Sequence, residues 1–159
     1  NIKLAILSKY IRNKFIDDIL VKARLGKQVK LISEVFSSLK IRGAIKNKYA
    51  VGYILDQFTG PPIGIKVPFM GTQAWTAKSM AFFVHKMKIP VVLAYNYRQA
   101  DGSFKIIISG QITTINNDNL ENCILENTKV FNKIMEEVIH KYPEQYLWLH
   151  KRWKQVIDY

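Results

Sequence analysis

The sequence has a single cysteine, Cys123, and few other soft metal ligands. One thiol excludes an internal disulfide and any metal site built from several cysteines. The three histidines, His85, His140 and His150, fall in different predicted helices and lack the pair spacing of a helical zinc site. We therefore expect neither a bound metal nor a cofactor.

Long hydrophobic runs are also missing. The apolar stretches are short, such as Met80 to Val84, and none approaches the roughly 20 residues that cross a bilayer. No signal-peptide pattern stands at the start. The glycines at 60 and 64 enclose two prolines and no lysine, which excludes a standard phosphate-binding loop.

Acidic residues are scarce relative to basic ones. The chain has 24 Lys and Arg but 12 Asp and Glu, for a net charge of +12 and a pI near 9.8. Such a field attracts phosphate on nucleic acid, on anionic lipid or on a small molecule. A bias of the genome towards Ile, Lys and Asn produces the same excess, so charge alone identifies no partner. The 48% hydrophobic content indicates a folded domain.

Apolar periodicity predicts alternating strands and helices. The predicted strands are 2–7, 29–32, 50–55, 91–97 and 104–109. The predicted helices are 11–23, 33–44 with Ser33 as N-cap, 74–88, a long amphipathic helix through 120–138, and 143–154. This order predicts one α/β domain over residues 1–159, with a mixed, partly parallel sheet flanked by helices and a helical C-terminus.

Two positions have side chains suited to binding. Asp56 and Gln57 follow a predicted strand, and open α/β sheets bind ligands beyond the carboxyl ends of their strands. The alternative, which spacing alone slightly favours, is that Asp56 only hydrogen-bonds loop amides. Arg24 ends a predicted helix, where it either complements the dipole or binds phosphate through its guanidinium.

The tail combines aromatic and cationic residues within a short segment, Tyr146 to Lys154. Three interpretations remain open at this point. The segment lies at a membrane interface, or packs its rings on the sheet with its charges in solvent, or stacks the bases of single-stranded nucleic acid.

The order of several short motifs resembles one family. They are Arg24-Leu25-Gly26, Leu55-Asp56-Gln57, Gly64 to Gly71, Ala74-Trp75-Thr76, Ile89-Pro90-Val91-Val92 and the block from Pro143 to Lys154. Together they resemble the late lipid A acyltransferases, lauroyl and myristoyl transferases of the lysophospholipid acyltransferase superfamily. The resemblance covers nearly the whole chain, and the block beginning at Pro143 is its most specific part.

The resemblance implies transfer of a fatty acyl group from an acyl carrier protein or acyl-CoA thioester to a hydroxyl of a phosphorylated glycolipid. It implies that the reaction takes place at the cytoplasmic face of the bacterial inner membrane, and that the protein has no nucleic acid partner. By motif matching, Arg24 binds the acceptor's phosphate, and Asp56, Gln57, Phe69 and Gly71 line the acceptor or acyl pocket. Thr76 contacts substrate or caps the following helix.

The family's catalytic pair is a histidine with an acidic residue after four intervening positions. At that spacing His85 is followed by Pro90, His140 by Gln145 and His150 by Gln155. We therefore expect the chain to be the C-terminal half of a longer enzyme whose catalytic histidine and membrane helix precede Asn1, and to be inactive alone. The alternatives are a basic module that binds nucleic acid or anionic membrane, and a degenerate acyltransferase that acts as a scaffold.

Overall fold

The computed structural model describes residues 2–8, 11–25, 28–33 and 37–157. Their elements, in chain order, are β1 Leu4–Ser8, α1 Lys14–Arg24, β2 Val29–Ser33, α2 Ser37–Lys46, β3 Ala50–Gly52, β4 Gly64–Phe69, β5 Thr72–Ala77, α3 Ser79–Met87, β6 Val92–Arg98, β7 Phe104–Gln111 and α4 Leu120–Lys141, then 3-10 turns Pro143–Gln145 and Trp148–His150. The mixed α/β fold with a helical C-terminus is confirmed. The chain divides into two compact units, residues 1–54 and 55–159, and the expectation of one domain stays a prediction.

The first unit is a parallel three-stranded sheet in the order β2-β1-β3. Helix α1 connects β1 to β2, and α2 connects β2 to β3, as parallel strands require. Asn13 caps α1, its side chain accepting hydrogen bonds from the amides of Phe15 and Ile16. All three strands end at one edge, and β1 and β2 end there on Ser8 and Ser33.

The second unit contains two antiparallel hairpins, β4–β5 and β6–β7, and the helices α3 and α4. The β4–β5 turn has two residues, Met70 and Gly71, both with positive φ, which is the type I′ geometry that fits the twist of a hairpin. Helix α4 packs against β4 and α3. A core of Phe69, Ala74 and Ile139 forms where the hairpin meets α4.

Two local predictions were wrong. Residues 72–77 form a strand, so the predicted helix 74–88 is only Ser79–Met87. Ser33 is the last residue of β2 and the described part of α2 is Ser37–Lys46, so the expectation that Ser33 caps this helix depends on residues outside the described part of the chain and stays a prediction. The segment 143–154 contains two 3-10 turns instead of one helix, with Lys151 in the left-handed region after the second.

Other boundaries moved less. Of the predicted strand 50–55, only Ala50–Gly52 forms a paired strand. Val35 and Phe36, which were expected in α2, lie outside the described residues. Within the part of the chain that the structure describes, no helix combines the length and apolarity needed to cross a membrane.

Candidate functional site

Arg24 lies in the last turn of α1, in the first unit. Its Nη1 atom donates a hydrogen bond of 3.0 Å to Oγ of Ser8, the last residue of β1. The guanidinium is therefore held at the carboxyl end of a strand in a parallel sheet, the position at which open α/β sheets bind ligands. Among the described residues of the first unit, the Arg24 side chain is exposed, so it is accessible to a ligand.

Asp56 and Gln57 begin the loop of the second unit. The phenol of Tyr146 donates a 3.0 Å hydrogen bond to the backbone carbonyl of Asp56, which fixes this part of the loop. The Asp56 side chain is half-buried, whereas that of Gln57 is exposed. The next residue, Phe58, donates its amide to Nε2 of His150 at 2.8 Å, so two residues of the C-terminal block hold the loop.

Phe69 is fully buried at the end of β4. The Arg152 guanidinium lies 4.8 Å from its ring centroid, and the rings of Trp153 and Tyr146 lie 5.8 and 6.4 Å away. Trp153 also donates its indole N–H to the Phe69 carbonyl at 3.2 Å. These contacts enclose the ring on the side of the C-terminal block.

Gly71 occupies the exposed tip of the hairpin, at φ +78°. The preceding amide, that of Met70, donates a 2.8 Å hydrogen bond to Oε1 of Glu136 on α4. The turn is thus fixed to the helix beneath it. Gly71 itself presents backbone and no side chain at this tip.

Thr76 is the fully buried, penultimate residue of β5, so it does not cap α3, whose N-cap is Lys78. Its hydroxyl accepts hydrogen bonds from Nη2 of Arg152 at 2.7 Å and from Nδ2 of Asn132 at 3.1 Å. Asn132 also donates to the carbonyl of Pro68 at 2.9 Å. Thr76 therefore joins both strands of the hairpin, α4 and the C-terminal block in one polar network.

Arg152 is the centre of this network, with 1% of its surface exposed. Beyond Thr76 it donates to the carbonyl of Trp75, and its Nη2 lies 3.5 Å from the carbonyl of Leu55. Burial lowers the pKa of Arg152, while Tyr146 and Asp56 oppose that shift through their charge interactions. An arginine remains charged in such surroundings because its pKa starts so high.

We call Tyr146, His150, Arg152 and Trp153 the C-terminal clasp. Each of the four binds a backbone or side-chain group of the segment from Leu55 to Thr76. The clasp brings three predicted site residues, Asp56, Phe69 and Thr76, around one guanidinium, and leaves Gln57 and Gly71 exposed. Of the three interpretations of the tail, packing of rings onto the hairpin agrees with the contacts of Tyr146 and Trp153 with Phe69. The expectation that the charges of the tail stay in solvent is wrong for Arg152, which is buried.

The clasp was not predicted as a functional group, although its residues belong to the most specific motif. The signal available in the sequence was a cation flanked by tryptophan, Arg152 before Trp153. Gly64 was also missed. A Cβ there would lie 1.7 Å from the Thr59 carbonyl oxygen, so only glycine fits. Among the described residues, no group of three or more His, Cys, Asp or Glu is arranged to hold a metal.

Comparisons with known proteins agree with the motif order. The family model described as bacterial lipid A biosynthesis acyltransferase matches residues 1–155. The chain is 29% identical over 116 residues to the lipid A biosynthesis palmitoleoyltransferase of Escherichia coli (strain K12), a match that covers 72% of this chain and 36% of that protein. The lipid A biosynthesis acyltransferase of Shigella flexneri matches with the same identity and coverage. The chain thus spans about a third of the length of these relatives, and it belongs to the bacterial lipid A biosynthesis acyltransferase family.

Proposed function

We propose that the whole protein transfers a fatty acyl group from an acyl carrier protein thioester to a hydroxyl of a lipid A precursor or a similar glycolipid. We place this reaction at the cytoplasmic face of the bacterial inner membrane. The observation that carries the proposal is the family match, which extends over residues 1–155 and so includes every motif discussed above.

The chemistry requires a base, an acyl pocket and a site for the acceptor. The base removes the proton of the acceptor hydroxyl, whose oxygen attacks the thioester carbonyl, and the thiolate of the donor leaves. His150 accepts the Phe58 amide through Nε2 and is therefore engaged in the clasp. We propose that the base lies in the part of the protein that this chain does not span, and that the 159-residue chain alone is inactive.

We propose different roles for the exposed and the buried site residues. Arg24 and Gln57 are exposed and Asp56 is half-buried, so all three are available to touch the acceptor or acyl chain. Phe69 and Thr76 are fully buried, and they act by fixing the wall that carries the Gly71 turn. The guanidinium of Arg24 matches the geometry of a phosphate group, which supports its role towards the acceptor.

The test is acyl transfer by the full-length protein. The protein is incubated with acyl-acyl carrier protein and a lipid A precursor, and mass spectrometry detects the addition of one acyl group. Acyl-CoA replaces the carrier protein in a parallel reaction. Product with acyl-CoA but not with acyl-acyl carrier protein would refute the proposed donor. The absence of product with either donor would refute the proposed function.

Arg24 is tested in the same assay with a matched arginine. Arg24→Ala is expected to lower kcat/KM at least about tenfold, because one charge-assisted contact to phosphate is lost. Arg42→Ala removes an exposed arginine on α2 and is expected to change kcat/KM by less than about twofold. Equal losses in both variants would show that only net charge matters.

A further inference from the structure

The positive charge of the protein is concentrated in one unit. Residues 1–54 contain 12 of the 24 Lys and Arg residues but three of the 12 Asp and Glu residues. This unit therefore carries nine of the twelve net positive charges, although it is about a third of the chain. A field of this sign draws anionic groups towards the small parallel sheet.

Two serines mark the carboxyl edge of that sheet. Ser8 ends β1 and Ser33 ends β2, and the two are register partners in the parallel ladder. Partners in adjacent strands lie about 5 Å apart, and their side chains point to the same face. The two hydroxyls therefore form a pair at the edge where open α/β sheets bind ligands.

Each serine is bound by a cation from a different helix. Arg24, in the last turn of α1, donates to Ser8 at 3.0 Å, and Lys40, in α2, donates its Nζ proton to Ser33. Both cations are exposed at their outer side. Two serines in register, each hydrogen-bonded to a cation from a different helix, thus lie side by side at one edge of the sheet.

The neighbouring groove has the character expected next to such a site. Ser8 and Ser33 border a groove that also contains the apolar side chains of Val21, Leu25 and Leu31. Asp17 lines it too, and its Oδ1 accepts the amide of Ile11 at 2.9 Å. The groove therefore offers apolar surface beside the two serines, as an amphipathic ligand with a phosphorylated head would require.

We propose that Ser8, Arg24, Ser33 and Lys40 form a binding site for a phosphoryl group. The fork of Arg24 and the ammonium of Lys40 neutralise the oxygen charges, and each hydroxyl supplies a donor to a remaining oxygen. The assignment of that group to the acceptor rests on the proposed function, while the site itself does not. A phosphoryl group of a lipid headgroup has the same chemistry.

The experiment uses the 159-residue chain and inorganic phosphate, titrated by isothermal calorimetry at constant ionic strength with chloride. We expect saturable binding. Lys40→Gln is expected to raise the Kd at least about tenfold, since a charge-assisted contact is lost. Lys46→Gln, an exposed lysine on the same helix with the same change in net charge, is expected to raise it less than about twofold. Lys40→Arg keeps the charge and is expected to restore most of the binding.

Two competitors distinguish the sources of the phosphoryl group. Glucosamine 1-phosphate, with glucosamine as control, displaces phosphate if the site takes a phosphorylated sugar. Vesicles of phosphatidylglycerol in phosphatidylcholine, with pure phosphatidylcholine as control, displace it instead if the site takes a headgroup. No saturable phosphate binding, or equal weakening by Lys40→Gln and Lys46→Gln, would overturn the site. Neither result depends on acyl transfer, so failure of the site and failure of the enzyme are separable.

Discussion

At the scale of single residues, Arg152 differs from a surface cation because its guanidinium is buried and hydrogen-bonded within the fold. It is desolvated in the second unit and bonds groups that lie 76 and 77 residues away along the chain. A hydrogen bond to a charged donor contributes about 1.5–3 kcal/mol, and removal of such a donor leaves buried acceptors unsatisfied. The clasp therefore stabilises the hairpin chiefly through this one guanidinium.

Arg152→Met is expected to lower the free energy of unfolding of the second unit by about 3 kcal/mol, because the Thr76 hydroxyl and the Trp75 carbonyl lose their charged donor. Arg152→Lys is expected to recover less than half, since an ammonium cannot reproduce the fork. Urea unfolding followed by far-UV circular dichroism measures both. Lys154→Met is the control, and a similar loss there would refute the central role of Arg152.

Gly64 gives a second residue-scale prediction. Gly64→Ala places a methyl group 1.7 Å from the Thr59 carbonyl oxygen and 2.8 Å from its carbon, so backbone must move. We expect a loss of at least about 3 kcal/mol in the free energy of unfolding. Gly110→Ala meets nothing within 4 Å and is expected to stay within about 0.5 kcal/mol. Equal urea midpoints for the Gly64→Ala and Gly110→Ala variants would contradict the close approach of Gly64 to the Thr59 carbonyl.

Neither residue could have been assigned its role from local pattern. Gly64 is required by its approach to Thr59, and Arg152 by contacts with Leu55, Trp75 and Thr76. Periodicity describes neighbours along a helix or strand, whereas these constraints arise when distant segments meet. The motif order did identify the block that contains Arg152, but it gave no reason for the burial of that arginine.

At the scale of elements, the β4–β5 hairpin shows where sequence patterns misled. Small residues at 74, 77 and 81 fit a helical face, yet Ala74 and Thr76 alternate with exposed or half-buried residues as a paired strand requires. The turn also lacks the Asn-Gly signal, because Met70 occupies a left-handed position that asparagine or glycine usually takes. The parallel strands β1, β2 and β3 were easier to predict from the sequence, since short apolar strands between amphipathic helices have few other arrangements.

The end of α3 offers a test in which two neighbouring substitutions have opposite signs. Lys88 is the C-cap of α3 and has a φ of 49°, a conformation that costs a side chain about 1 kcal/mol. Lys88→Gly is therefore expected to raise the free energy of unfolding by about 0.5–1 kcal/mol. Lys86→Gly, inside the helix, is expected to lower it by a similar amount. Chemical denaturation measures both, and equal signs would contradict the left-handed cap.

At the scale of the whole molecule, the two units differ in how their stability arises. Among the described residues of the first unit, the buried apolar side chains are Ala5, Ile32, Ile41 and Ala44. Helix α1 buries none, and its Phe15 is 75% exposed. The second unit has a larger set, which includes Phe69, Phe83 and Phe131. The first unit therefore combines a small core with most of the net charge, and the second does the reverse.

This contrast predicts different responses to salt. Repulsion among the charges of residues 1–54 opposes folding, and added salt screens it once the Debye length falls below about 10 Å. In hydrogen exchange measured by mass spectrometry, amides of β1 and β2 are expected to exchange faster than those of α4 at about 0.02 M NaCl. At about 0.5 M NaCl we expect protection to increase mainly in the first unit.

Phosphate at equal ionic strength separates screening from binding. If the phosphoryl site exists, phosphate protects β1, β2 and the start of α2 beyond the effect of chloride, because a ligand that binds the folded state stabilises it by mass action. Lys40→Gln is expected to remove that extra protection and to leave the chloride effect in place. Equal protection by both salts would show that the charge of this unit acts only through a general electrostatic field. Slow exchange in β1 and β2 at low salt would instead show that four buried apolar side chains suffice to stabilise the sheet against the repulsion among the charges of this unit.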